Sequence, residues 1–337
     1  MSIEILQVIW FVLVAVLILG FALLSGFDLG IGVIHLLNKD PKERENNFWA
    51  VGPFWDSNQV WLLTGGGALF AAFPMVYATA FSAFYLALML LLLFLIIRAV
   101  SIEFRHQLKT PGWEKTWDWG FSIGSIIPSI LFGVAVGNIL RGIPMDEQHN
   151  FTGTFFALLN PYAIQIGLVS IAMFTAHGAA FLGALKEGES REKVKSWGLN
   201  ADIVLCITFF SATIMSYFES PQLFTNFFNY PVLFVFPLLA ITGMLYYPIA
   251  ILKRKWKWTA FMASSLSIIG ILGTFAASIF PNLIPAKTGI ANNLTIYNSS
   301  SSQLTLTIML LIAGVGVPLV IFYTAYVYRK FIKSFSY

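Results

Sequence analysis

Residues 54–74 read FWDSNQVWLLTGGGALFAAFP: a polar opening, Asp56-Ser57-Asn58-Gln59, set between Trp55 and Trp61, followed by an apolar run to Pro74. The whole stretch is about one membrane thickness long. An ionisable side chain at the edge of hydrocarbon is costly, and it persists where it marks an ion path, a proton relay or a contact with a partner. The choice among these depends on what the remainder of the chain places at the same depth.

The 337 residues are 58% hydrophobic and only 11% charged, with a mean hydropathy of +0.77. Such a chain cannot cover a water-facing surface, so it is an integral membrane protein. Apolar runs able to span a bilayer fall at 6–37, 56–76, 78–100, 120–140, 160–185, 201–218, 229–252, 258–280 and 305–328. The expectation is an all-α protein, a single polytopic domain over 1–337 with about nine transmembrane helices. The first run has no basic leader and no small-residue cleavage site, and is read as a retained membrane helix rather than a signal peptide.

Charge supplies the orientation. Of the 20 Lys and Arg residues, all but Arg141 and Lys287 lie after odd-numbered runs: Lys39, Lys42 and Arg44; Arg98, Arg105, Lys109 and Lys115; Lys186, Arg191, Lys193 and Lys195; Lys253, Arg254, Lys255 and Lys257; Arg329, Lys330 and Lys333. The positive-inside rule then places the N-terminus outside and the C-terminus in the cytoplasm. The net charge of +4 follows from this distribution and implies no nucleic acid.

Counted from residue 6 at about 1.5 Å per residue, Asp28 in SGFDLGIG lies roughly 33 Å along the first helix, near the cytoplasmic boundary. The second run enters from that side, so Asp56 and Asn58 share the depth of Asp28. Arg98, Glu103 and Trp117-Asp118-Trp119 fall at the same level. One reading is a proton-uptake path through Asp28, Asp56, Asn58, Arg98 and Glu103. The other is structural: Asp56 caps the second helix, and Arg98 pairs with Asp28 so that neither charge is stranded. Trp55, Trp61, Trp117 and Trp119, with Asp118 between the last two, are expected at the membrane interface or a subunit interface. Gly26 and Gly30 form a small-xxx-small pattern for close helix approach. Gly65-Gly66-Gly67 lacks the following Lys of a phosphate loop and is read the same way.

Cofactor chemistry has little purchase. His106 and His149 fall in loops, His35 sits at the inner end of the first helix, and only His177 lies well inside a span, which gives poor support for a bis-His haem. Cys206, the single cysteine, is flanked by Leu205 and Ile207 and reads as a buried, inert thiol. No metal cluster, Ser/His/Asp set, HExxH or nucleotide-binding pattern is present, and soluble-enzyme chemistry is excluded. A proton- or cation-coupled transporter is the competing class, since acids at helix interruptions mark ion sites there too; the clustering of the acids at one boundary rather than at the midplane argues against it.

Taken together, FWDSNQVWLLTGGGALFAAFP, GFDLGIG, Trp117-Asp118-Trp119-Gly120, Gly133-Val134-Ala135-Val136-Gly137-Asn138, Leu159-Asn160-Pro161 and Ser302-Gln303-Leu304-Thr305-Leu306 resemble, in order and over the whole chain, subunit II of cytochrome bd-type quinol oxidases. Two departures stand out: the chain is compact between the sixth and seventh runs, and Ser25 occupies a place where an acid occurs in some relatives. The resemblance implies two four-helix bundles plus a peripheral ninth helix. It also implies a partner, subunit I, carrying the b-type and d-type haems, in a respiratory electron-transport heterodimer of the bacterial cytoplasmic (inner) membrane. That complex oxidises quinol and reduces dioxygen to water, with protons drawn from the cytoplasm. Small single-helix subunits accompany some such oxidases. The 32 Phe, 10 Trp and 12 Tyr make apolar grooves suited to lipid or to the tail of a structural quinone.

Overall fold

The computed structural model describes residues 1–252 and 257–334; Lys253, Arg254 and Lys255 of the expected basic loop, and the side chain of Lys333, fall outside the described residues. In hydrocarbon every backbone N–H and C=O has to be satisfied within the chain, and the long apolar runs accordingly form helices. These are α1 (Ile3–Ile34), α2 (Pro41–Val51), α3 (Trp55–Ala72), α4 (Pro74–Ala83), α5 (Tyr85–Phe104), α6 (Pro111–Arg141), α7 (Pro161–Leu185), α8 (Gly188–Glu219), α9 (Thr225–Asn229), α10 (Val235–Leu252), α11 (Thr259–Ile279) and α12 (Gln303–Ser334). A two-stranded antiparallel ribbon, β1 (Asn282–Ile284) with β2 (Leu294–Thr295), lies between α11 and α12.

Among the described residues, eight helices are long and apolar enough to cross a membrane. The remaining expected span is α3, whose 18 residues include Asp56, Ser57, Asn58, Gln59 and three glycines and are correspondingly less apolar. It stops at Phe73 because Pro74 has no N–H to continue the ladder and instead starts α4. The expected run 78–100 is therefore divided between the end of α4 and α5, with a break at Phe84.

Other boundaries differ for a common reason. Helices α6 and α8 begin well before the expected residues 120 and 201, because their first turns are polar and stand clear of the apolar windows. Arg191, Lys193 and Lys195 consequently sit on α8 and not in a loop. Helix α2 was expected as loop. Asp40 caps it by accepting from the Lys42 amide at 2.9 Å, Pro41 occupies its first turn, and it buries Asn47, Phe48, Ala50 and Val51.

Helix α7 packs on α1, α6, α8 and α11, so it joins two groups: α1, α3, α5 and α6 on one side, α8, α10 and α11 on the other. Helix α12 touches α1 and α3 and leaves most of its surface uncovered. The α1–α7 crossing is made by backbone approach, as the glycine spacing predicts. A Cβ on Gly30 would run into the Phe174 carbonyl, and one on Gly26 would stand 2.8 Å from the Phe174 ring. The triple glycine differs. Gly65 meets only ordinary contacts, with Leu17 at 3.7 Å, and Gly66 and Gly67 face nothing within 4 Å. Close packing within this chain therefore does not account for Gly66 or Gly67.

A Gly30→Ala substitution is expected to lower the thermal unfolding midpoint in detergent, at a cost of about 1–3 kcal/mol from overpacking against backbone that cannot move aside. Gly66→Ala serves as the control, expected to stay within about 0.5 kcal/mol of the parent.

Candidate functional site

The C-terminal ends of α1, α5 and α12 and the N-terminal end of α3 meet around Asp28. Its carboxylate and the Arg98 guanidinium are 0% and 1% exposed, and Arg98 Nη2 donates to Asp28 Oδ1 at 2.6 Å. The second carboxylate oxygen accepts from Asn58 Nδ2 at 3.1 Å, and the same amide donates to the Leu24 carbonyl at 2.9 Å. Asn58 is oriented in turn by Tyr328, whose hydroxyl donates to Asn58 Oδ1 at 2.7 Å. Gly124 of α6 lies against Arg98, where a Cβ would come within 2.8 Å of the Arg98 Cβ, and Phe121 faces the guanidinium at 5.9 Å. Arg98 Nε is buried without a described partner.

Asp28, Asn58 and Arg98 are thus brought together, whereas Asp56 and Glu103 are not. Asp56 precedes Asn58 by two residues, about 200° round the helix, and so lies exposed on the opposite face of α3. It is not the N-cap either, since Phe54 holds that position. Its charge in the first turn still favours the positive end of the helix dipole. Glu103, five residues beyond Arg98, is likewise exposed.

A second buried network lies beside the first. Asp118, expected as an anchor, is instead a hub: Arg105 Nε donates to Oδ1 at 2.6 Å, His35 Nε2 is 3.2 Å from the same oxygen, and Arg44 Nη1 donates to Oδ2 at 3.2 Å. Arg105 also lies over the Phe48 ring at 5.2 Å, which pins α2 against α5 and α6. Further out, Lys186 and Ser190 bond the two oxygens of Glu43 at 2.6 and 2.7 Å. Burial alone would raise the Glu43 carboxyl, but these bonds and the Lys186 charge outweigh it and hold the group below the usual range.

The tryptophans divide. Trp119 is exposed, and Trp55 is half-buried against the core around Phe27, Phe48 and Phe54. Trp117 packs on Phe104 and Trp113, with its ring N–H buried and without a hydrogen-bond partner among the described residues. Trp61 is buried over Gly20, where a Cβ would collide with its ring, so it locks α3 to α1 and does not anchor at the interface. His177 has both ring nitrogens engaged, Nδ1 with Ser264 Oγ at 2.8 Å and Nε2 with the Leu23 carbonyl at 3.0 Å, leaving neither free for a haem iron. Among the described residues no group of three or more His, Cys, Asp or Glu is placed to hold a metal.

Tyr328 and the His35–Arg44–Asp118 contacts were missed from sequence. The only available signal was depth, because Tyr328 falls at the inner end of the last span and His35 beside Asp28. Two substitutions test the networks. Asp118→Asn, which strips the counter-charge from buried Arg105, is expected to cost about 3–5 kcal/mol in unfolding free energy. Tyr328→Phe removes one neutral hydrogen bond and is expected to cost about 1 kcal/mol. Both are read from unfolding in detergent.

The comparisons agree with this architecture. The sequence model of the family described as cytochrome bd terminal oxidase subunit II matches residues 6–331. The chain is 37% identical to the cytochrome bd-I ubiquinol oxidase subunit 2 of Escherichia coli K12 over 358 residues, covering 97% of this chain and 94% of the relative. It is 37% identical to a probable cytochrome oxidase subunit 2 of Haemophilus influenzae, with the same coverage. It is 33% identical to the cytochrome bd ubiquinol oxidase subunit 2 of Bacillus subtilis, covering 96% and 95%. A chain in the structure of bd oxidase from Geobacillus thermodenitrificans superposes with a TM-score of 0.79 at 14% identity, covering 97% of this chain and 98% of the other, and so shares the fold. The residues, the packing and the comparisons lead to one assignment: the chain belongs to the cytochrome bd terminal oxidase subunit II family.

Proposed function

We propose that this chain is the haem-free partner in a quinol:dioxygen oxidoreductase of the bacterial inner membrane, where it supports assembly of the haem-bearing subunit I and supplies it with protons from the cytoplasm. Family membership makes it a subunit of an oxidoreductase complex and not a catalyst alone. In this reading α3 is a ninth crossing helix, the N-terminus is outside and the C-terminus cytoplasmic. The helices form two four-helix bundles, α1, α3, α5 and α6, then α7, α8, α10 and α11, with α12 peripheral.

The observation that carries the proposal is the uncovered face of α3. Asp56, Val60, Leu63, Gly67 and Phe70 recur at helical spacing and are all exposed in this chain. An ionised acid at the head of a lipid-facing stripe is costly, and a partner that covers the stripe removes that cost. Gly66 and Gly67, whose Cβ space is empty, leave room for a close helix from that partner. Asp56 then opens towards subunit I at the cytoplasmic boundary, and the Asp28–Arg98–Asn58–Tyr328 cluster holds the helices on its inner side in register. The oxidase haems belong with subunit I, in keeping with the engagement of both His177 nitrogens. On the α12 side the same stripe borders an open groove of about 440 Å³, in which Val60 and Gly67 stand opposite Met309 and Val317 with Trp10 and Leu17 at its floor; a partner helix lying on the stripe would close it, and it is our candidate position for the isoprenoid tail of a structural quinone held between the two chains. Any small single-helix subunit has the open surface of α12 available to it.

Asp56→Asn is expected to leave haem content at the parental level while lowering quinol-oxidase turnover and coupled proton uptake by about tenfold, one proton-transfer step being slowed. Parental rates on both would contradict a proton role for Asp56. Gly67→Leu is expected to leave the isolated chain folded and to reduce the haem-bearing subunit that co-purifies with it. Undiminished co-purification would show that the partner lies elsewhere.

A further inference from the structure

Helix α7 packs on both α1 and α8, and where those two stand apart they leave a groove of about 350 Å³ with α7 as its floor. Val33 and Leu37, at the end of α1 and in the turn after it, form one wall, and Trp197, Asn200, Val204 and Thr208 of α8 form the other. From Trp197 to Thr208 the second wall runs about 16 Å along the helix axis, so the groove averages about 20 Å² in cross-section. A helix, about 10–12 Å across, does not fit, whereas one extended hydrocarbon chain does. The groove shares no lining residue with the one beside α12.

The α8 wall is graded in polarity. Lys193, Trp197, Asn200, Val204 and Thr208 recur at steps of three and four residues and so share one face, which passes from a cation through an indole and an amide to an apolar end. Beside Trp197, a Cβ on Gly198 would stand 3.1 Å from Ala179, six residues before α7 ends at Leu185. The indole therefore sits about 9 Å inside that end, the depth of a membrane interface. The two threonine hydroxyls on the groove surface turn back on their own helices: Thr175 donates to the Ile171 carbonyl at 2.6 Å and Thr208 to the Val204 carbonyl at 2.7 Å. The apolar part therefore asks for no polar ligand. At the other end the Asn200 amide and the Trp197 ring N–H have no hydrogen-bond partner among the described residues. Lys193 is ion-paired with Glu189 alone, through an exposed i,i+4 contact at 2.8 Å of the kind worth little.

We propose that this groove holds one acyl chain of a bilayer phospholipid, whose ester and phosphate oxygens accept from Asn200, Trp197 and Lys193 at the rim. The occupant comes from the bilayer because both walls carry exposed apolar side chains, Leu37 at 54% and Val204 at 48%, on segments long and apolar enough to cross it. Charge and polarity match along the whole length. Three donors, one of them cationic, stand where the head group of such a lipid lies, and no free donor faces its chain. Lys193 exchanges Glu189 for the phosphate, and Glu189 stays in water. The site is independent of the proton role proposed for Asp56 and of the partner face of α3.

The test uses the complex purified from membranes and loaded, in phosphatidylcholine nanodiscs, with phosphatidylglycerol that carries a photoactivatable diazirine in its acyl chain. The complex is then re-extracted in detergent and gel-filtered before illumination, so that lipid not held is removed. Peptide mass spectrometry is expected to find the lipid on residues 168–175 and 200–208 about tenfold more than on α10 around Leu245 and Ile249, which are at least as exposed as Val204. Thr175→Phe, which fills the groove, is expected to abolish that excess. Lys193→Gln, a change at an exposed position, is expected to lower it about threefold. A diacylglycerol with the same diazirine chain and no phosphate is expected to be washed out. Equal labelling of the groove and α10 overturns the site, and an excess that survives Thr175→Phe overturns its placement. Retention of the diacylglycerol to the level of the phospholipid, or an excess untouched by Lys193→Gln, overturns the head-group contacts.

Discussion

The ion pair between Asp28 and Arg98 is the constraint on which this end of the helix assembly depends. Two opposite charges with essentially no exposure exist in a lipid-soluble chain only while each neutralises the other. That requirement fixes α1 against α5 and draws Asn58 from α3 and Tyr328 from α12 to satisfy the remaining lone pairs. The helices that carry these side chains are far apart in sequence, and apolar packing alone would leave them free to slide, since lipid tails are as apolar as the helices themselves. A buried polar network has one good register.

Close backbone contact makes that register possible. The α1–α7 crossing at Gly30 and Phe174 and the approach of α6 to α5 at Gly124 bring these helices within reach of one another without calling on the charges. Asp118, with Arg105, Arg44 and His35, repeats the arrangement about two turns further along α1 and α5 and ties α2 to the ends of α5 and α6. The opening stretch thus contributes to two surfaces. Asn58 and Trp61 face inward, to Asp28 and Gly20, and Asp56, Leu63 and Gly67 face outward, where this chain offers no cover.

Depth was legible in the sequence, and azimuth was not. A membrane boundary converts residue number into height at a fixed rise per residue, so Asp28, Asn58 and Arg98 could be placed at one level by counting. Their contact followed because all three point into the bundle. Asp56 shares the level yet faces the other way, because two residues along a helix is more than half a turn. The glycines show the same limit: Gly30 and Gly66 have similar sequence surroundings, but only packing reveals that one meets a carbonyl and the other nothing. Polar first turns were lost for a different reason: the starts of α2, α6 and α8 have the composition of loops, and while Asp40 caps α2, neither Thr110 nor Glu187 makes a side-chain cap at α6 or α8. Tyr328 lay at the right depth on a helix whose facing side no periodicity could assign.

The most direct measurement is a double-mutant cycle on the central pair, with unfolding free energies in detergent for the parent, Asp28→Asn, Arg98→Gln and the combined variant. Each single change strands a buried charge or its amide replacement, and the double change removes both charges together. A coupling energy of about 2 kcal/mol or more, with the double variant no less stable than the worse single one, is the predicted result. Costs that add to within about 0.5 kcal/mol would contradict the account, because they would mean that neither charge depends on the other.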